Sequence, residues 1–133
     1  MIQVILGMGC DRNTPLSTLA IAVDQALTRL DLTAESVVAM ATIDKKNDEV
    51  ALLELAESEQ WPIHFFSAEE LANVTVPNPS EVVLKYMGTP AVAEAAAMLA
   101  AKCGVENLLL EKHKYRGEDG KNATVSIVRL PNE

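Results

Sequence analysis

Aromatic residues are scarce in this 133-residue sequence, with one Trp, two Tyr and two Phe. A platform for single-stranded nucleic acid stacks successive bases on exposed rings, so too few rings are present for that role. Cations are also in the minority. Eleven Lys and Arg stand against 19 Asp and Glu, for a net charge of −8. Proteins that grip a phosphate backbone carry the opposite excess, so no nucleic-acid partner is expected. Two cysteines, Cys10 and Cys103, do not make a disulfide framework, and both thiols are expected to be reduced in a cytoplasmic setting. No apolar run approaches the roughly 18 residues of a membrane helix, so no membrane association is expected. Met1 to Gly7 lacks a basic n-region and a cleavage site and reads as a first strand rather than a signal peptide. The glycine-rich and phosphate-loop fingerprints are missing too. Gly7-Met8-Gly9 is not completed by a third glycine, because residue 12 is Arg, and no G-x-x-x-x-G-K-[ST] occurs. The two His and two Cys are scattered singly, which leaves no zinc spacing. No cofactor and no metal are therefore expected.

What is present is a globular balance, 49% hydrophobic and 23% charged, in a chain the length of one domain spanning residues 1–133. Residues 2–6 form an apolar run ended by Gly7-Met8-Gly9, which predicts a buried strand. Thr14-Pro15 reads as a helix start with Thr at the N-cap, followed by an apolar stripe of Leu16, Leu19, Ala20, Val23, Ala26, Leu27 and Leu30. Ser36 to Ile43 predicts a second buried strand. Asp48 is placed as the cap of a second helix, with Leu52, Leu55 and Ala56 inward. Ile63 to Phe66 predicts a short third strand, with His64 as a core histidine. Ser67-Ala68-Glu69-Glu70 is a capping box opening a brief helix. Val74 to Pro77 reads as extended, and Asn78-Pro79-Ser80-Glu81 as another helix start, ending at Gly88. Thr89-Pro90 opens an alanine-rich helix, whose body runs from Ala91 to Cys103 and which Gly104 ends. Asn107 to Leu110 predicts a fourth strand. Ala123 to Leu130 predicts a fifth, at the sheet edge. The polar Tyr115 to Lys121 loop predicts an antiparallel hairpin between these two. The expected class is α/β, a three-layer α/β/α sandwich around a mixed, mostly parallel five-stranded sheet.

Ligands of open α/β sheets sit beyond the carboxyl ends of the strands. In the predicted arrangement six of the eleven cations lie there: Arg12, Lys45, Lys46, Lys112, Lys114 and, just beyond, Arg116. An acidic chain that gathers cations at one rim is read as holding an anionic ligand. The plain alternative is a set of wet, charged loops. Gly7 and Gly9 would allow a tight turn and close backbone approach, and Arg12 could clamp a carboxylate. Cys10 is read as structural or ligand-lining rather than as a nucleophile. His113, flanked by lysines, is a minor acid–base candidate. The carboxylates that could activate water are Asp44, Glu49 and Glu94. For Glu49 the plain reading is a place in the first helical turn, and for Glu94 it is compensation of the helix dipole.

Four motifs in series then resemble one family. They are Gly7-Met8-Gly9-Cys10-Asp11-Arg12, Ala41 to Glu49, Val76-Pro77-Asn78-Pro79-Ser80-Glu81, and Gly88-Thr89-Pro90 through Ala97. In this order they are similar to the C-terminal domain of the cobalamin biosynthesis protein CbiG and its free-standing form, the CobE family. The sequence departs from the family at Asp11, often basic there, and at Asn13, often glycine, though Asn tolerates the left-handed turn. The resemblance implies an α/β domain acting on a polycarboxylated corrinoid or precorrin intermediate, alone or with other enzymes of the cobalamin pathway. It implies either binding or, as in full-length CbiG, hydrolysis of the lactone of a precorrin-5A-type intermediate. The expected ligand contacts are Gly9, Cys10, Arg12, Thr14, Thr42, Asp44, Lys46, Ser67, Ser80, Gly88, Thr89, Lys112 and Lys114.

Overall fold

A computed structural model describes residues 2–44, 48–72 and 92–131. The sheet is built from β1 (Val4–Cys10), β2 (Val37–Ile43), β3 (Ile63–Phe66), β4 (Leu108–Arg116) and β5 (Asn122–Arg129). The helices are α1 (Leu16–Arg29), α2 (Val50–Glu59), the short α3 (Ala68–Ala72) and α4 (Val92–Ala101). The strand order is β3-β2-β1-β5-β4. The pairs β1–β2 and β2–β3 are parallel, and β1–β5 and β5–β4 are antiparallel. Four strands therefore point one way and only β5 opposes them, which is the mixed, mostly parallel sheet expected.

The alternation of side chains along β1 divides the interior into two cores. Val4, Leu6 and Met8 join Leu19, Val23 and Leu27 of α1 and Leu52 and Leu55 of α2. Ile5 joins Leu71 of α3 and Ala95, Ala97 and Met98 of α4. Helices thus cover both faces. The buried stripe of α1 runs through Leu19, Ala22, Val23, Ala26 and Leu27, while Leu16 and Ala20 face outward.

Several boundaries differ from the sequence reading, each for a physical reason. β1 does not stop at the glycines; Gly7 and Gly9 pair with Ser126 and Thr124 inside the ladder, so they form no turn. What Gly7 supplies is proximity. A Cβ there would overlap the Ala93 carbonyl and meet the Ala97 methyl, so α4 rests on bare β1 backbone. β5 is an inner strand, not the edge, because the hairpin folds β4 outside it. β4 extends to Arg116, so Lys112, His113 and Lys114 lie in a strand rather than in a loop. His64 is exposed rather than core, since β3 is itself the opposite edge.

The helix ends also depart from the sequence rules. α1 begins after Pro15, and the Thr14 hydroxyl donates to the Asp11 carbonyl at 2.6 Å instead of capping the helix. α2 begins after Glu49, which takes the N-cap position expected of Asp48 and makes no side-chain cap bond. Ser67 and Glu70 do form the expected capping box, each accepting from the other's backbone N–H at 3.1 and 2.9 Å respectively. Three helices are followed by a left-handed residue that is not glycine: Asp31, Gln60 and Lys102. In each case the next N–H closes on a carbonyl five residues back, as in Leu32 to Leu27, Trp61 to Ala56 and Cys103 to Met98. Lys102, not Gly104, therefore marks the end of α4. The expected extended stretch at 74–77, the helix at 78–88 and the Thr89-Pro90 start lie outside the described residues.

The Gly7 contact sets the height of α4 above the sheet. Gly7→Ala is expected to cost at least the roughly 1–3 kcal/mol typical of an overpacked core, because the obstacle is backbone rather than a flexible side chain. Urea unfolding checks this, and an unchanged midpoint would show that α4 can rise without penalty.

Candidate functional site

The carboxyl ends of β1, β2, β3 and β4 share one rim, and the start of β5 joins them there. Two loops are tied together at this rim. Asn13 takes a left-handed backbone, φ 61°, which turns the chain after β1 into α1. Glu49, 2% exposed, accepts the Asn13 N–H at 2.6 Å and the Arg12 guanidinium at 3.0 Å. Asp48 takes the other arm of Arg12 at 2.8 Å. The hairpin closes on the same loop from the opposite side. Asp11 accepts both the backbone and the side-chain N–H of Asn122, at 2.8 and 3.1 Å, and Lys121 donates to the Arg12 carbonyl at 3.0 Å.

This clasp corrects part of the expected contact set. Arg12 is engaged by two carboxylates of its own chain and is not an open clamp. Asp11 is a structural tie and not merely a lost cation. Glu49 sits at the head of α2, not in its first turn, and holds the loop. Thr14 is buried with its hydroxyl on Asp11, and Thr42, 0% exposed, donates to the Met8 carbonyl at 2.8 Å. Both hydroxyls bind backbone within the protein rather than facing a ligand. Ser67 caps α3. Cys10 is half-buried against the α1 and α2 core. Asp44 is exposed just past β2. Lys46, Ser80, Gly88 and Thr89 lie outside the described residues, as does Lys45.

His113 is accounted for structurally. Its Nε2 meets Gln25 Oε1 at 2.8 Å and its Nδ1 meets Arg29 Nη1 at 3.1 Å, which suits a neutral ring bridging β4 to α1. Burial, and then the Arg29 charge, hold its pKa below the usual histidine value. Burial likewise pushes the Cys103 thiol up, with Glu106 adding to it, so that thiol stays protonated and unreactive.

The α4 face of the rim is different in character. His113 and Tyr115 point to the α1 side, so Lys112 and Lys114 point to the α4 side. Lys114 pairs with Thr124, and Thr124 pairs with Gly9. Gly9, Thr124 and Lys114 thus form one cross-strand row in which the Gly9 position is bare backbone and, among the described residues, its nearest neighbour is the Thr124 methyl-bearing carbon. The next row in is Gly7, Ser126 and the neighbourhood of Lys112, and here α4 comes down. Glu94, 1% exposed, sits over it with Lys112 Nζ at 3.5 Å. Neither Glu94 oxygen has a hydrogen-bond partner among the described residues. Burial pushes its carboxyl above the usual range; Lys112 opposes that shift, and Glu111 adds to it. A cross-strand row with two lysines on its face beside a buried carboxyl is suited to an acidic ligand or to proton transfer at its edge. Thr124 escaped the sequence reading because only the hairpin register places it beside Gly9. Lys121 escaped it because its target is a backbone carbonyl. Among the described residues no three His, Cys, Asp or Glu side chains come together to hold a metal ion. None of the described helices is long and apolar enough to cross a membrane.

Fold and rim together define an α/β sandwich with an ammonium-lined edge at the carboxyl ends of its strands. The chain belongs to the cobalamin synthesis G C-terminus family, whose model matches residues 4–128. It is 36% identical over 126 residues to a cobalt-precorrin-5A hydrolase of Priestia megaterium, covering 95% of this chain and 32% of that protein. It is 32% identical over 100 residues to protein CobE of a Sinorhizobium species, covering 74% of this chain and 65% of that one. The chain therefore spans about a third of the first relative and just under two thirds of the second. A crystal structure of CobE, a protein from the cobalamin biosynthetic pathway, superposes with a TM-score of 0.83 at 31% identity, over 99% of this chain and 93% of that one. This protein is accordingly a cobalamin biosynthesis protein of the CobE/CbiG C-terminal type.

The clasp predicts a local effect of Glu49→Ala. Loss of a hydrogen bond to a charged acceptor, with the Asn13 N–H left behind, is expected to cost about 1.5–3 kcal/mol. Hydrogen exchange checks it: the Asn13 amide is expected to lose protection while amides in the middle of β1 keep theirs. Equal protection of Asn13 in both proteins would show that the loop is held otherwise.

Proposed function

We propose that this chain binds a polycarboxylated corrinoid intermediate of cobalamin biosynthesis at the α4 side of the rim. The observation that carries this reading is the row Gly9, Thr124 and Lys114 beside Lys112. A precorrin is a flat apolar ring fringed by acetate and propionate carboxylates. Bare backbone at Gly9 lets the ring edge approach the sheet, and the two lysines meet the carboxylates. The cations named from sequence serve this role unequally: Arg12 is held by two carboxylates at 2.8 and 3.0 Å, Lys112 faces Glu94 at 3.5 Å, and Lys114 is exposed at the rim. The pathway named for the CobE and hydrolase relatives supports the ligand class. A handover partner among other enzymes of the pathway belongs to the same proposal.

A second reading is lactone hydrolysis of a precorrin-5A-type intermediate. The buried Glu94 favours it, since a carboxyl with raised proton affinity beside an ammonium is a fitting general base. Asp44 and Glu49 are weaker choices, one exposed and the other engaged in the clasp. The relative that carries the hydrolase name is about three times the length matched here.

Titration of the protein with cobyrinic acid, followed by absorbance, tests the binding reading. Lys112→Ala and Lys114→Ala are each expected to weaken binding by roughly tenfold, the scale of one charged hydrogen bond. Lys102→Ala, altered at the exposed end of α4, is expected to bind as the native protein does. Equal affinity in all three variants would overturn the anionic site. Chromatography of the bound corrinoid after incubation with a precorrin-5A-type lactone separates binding from hydrolysis.

A further inference from the structure

We infer that Glu94 and Lys112 form a proton-linked latch, in which a ligand carboxylate takes the Lys112 ammonium and Glu94 accepts a proton from solvent as it does so. This deepens the corrinoid-binding reading and rests on it. The two partners are unequal in their access to water. The Lys112 side chain is 23% exposed and the Glu94 side chain 1%. The ammonium can therefore turn toward a ligand on the rim, while the carboxylate cannot turn toward bulk solvent. Their separation of 3.5 Å is longer than the roughly 2.7–2.9 Å of a tight charge-assisted bond, so the pair is weakly joined before ligand arrives.

Once Lys112 turns away, a buried carboxylate has lost its compensating charge, and such a group neutralises by taking up a proton. Among the described residues Lys112 is the cation that acts on Glu94. β4 contributes Lys112, the like-charged Glu111 and, one row further out on the same face, the exposed Lys114, which makes no ion pair with Glu94. β1 contributes Gly7 and Gly9, and β5 contributes Ser126 and Thr124, none of which carries a charge. α3 contributes Glu69 and Glu70, both exposed, with Glu70 in the capping box. β2 contributes Ala41 and Ile43 to this face, and β3 the exposed His64 and the apolar Phe66. No bond of the ligand forms or breaks. One proton moves from buffer to Glu94, and one ion pair is exchanged for another.

The linkage has a definite sign. The bound state holds more protons than the free state, so affinity falls as pH rises. Titration calorimetry of the intact protein with cobyrinic acid at pH 7.5, in two buffers of different ionisation enthalpy, measures the proton count directly. The wild type is expected to take up about one proton per bound molecule. Glu94→Gln is expected to bind with no dependence on buffer. Lys112→Met, which leaves the carboxyl without its cation throughout, is expected to show no uptake either, and it carries the test if Glu94→Gln does not fold. Equal uptake by wild type and Glu94→Gln would overturn the latch and leave the corrinoid site standing. Absence of binding by the wild type would overturn both.

Discussion

The contact between α4 and β1 at Gly7 sets the geometry on which the rest of the site depends. With no Cβ at Gly7 the Ala93 carbonyl lies against strand backbone, and Ala97 follows one turn later. A helix of small residues on a strand with a bare position approaches closely, and close approach excludes water from whatever sits between them. Glu94, next to Ala93, is enclosed for that reason. An alanine-rich helix held one methyl higher would leave the carboxyl wet and its pairing with Lys112 of little consequence. The chemistry proposed for the rim thus begins with an absent methyl group on β1.

The other half of the rim is held by polar groups. Glu49 from the head of α2 and Asp11 from the end of β1 each satisfy backbone N–H groups across loops that hydrophobic burial does not reach. Arg12 and Lys121 complete the clasp from opposite sides. The division has a functional sense. The α1 side of the rim is occupied by the short charge pairs of Arg12, while the α4 side has the longer Lys112–Glu94 pair and the exposed Lys114 beside the bare backbone of Gly9. The proposed binding side is thus the one whose cations are less tightly engaged.

The fold was readable from sequence because it rests on local signals. Hydrophobic periodicity marked α1 and α2, the capping box at Ser67 marked α3, and the two-glycine loop marked the hairpin. Boundaries failed where tertiary contact overrode a local rule. Gly7 and Gly9 look like a turn, yet they serve helix packing and ladder pairing. Lys112 to Lys114 look like a polar loop, yet strand alternation sends His113 to one face and the lysines to the other. The site was less legible than the fold. Arg12 and Lys112 are equivalent as letters, but one faces two carboxylates and the other faces one buried carboxyl and the rim. Thr124 has no signal at all until register places it beside Gly9.

The central claim is that ligand meets this protein on the α4 side of the carboxyl rim. Amide chemical-shift mapping of the isotope-labelled chain on addition of cobyrinic acid tests it most directly. The account predicts shifts at Gly9, Thr124, Lys112 and Lys114. It predicts none at the opposite end of the sheet, where a shallow depression of about 370 Å³ is lined by Glu106, Asn107, Leu109, Arg129, Leu130 and Pro131. Shifts confined to that depression, or to the α1 side around Gln25 and His113, would contradict it.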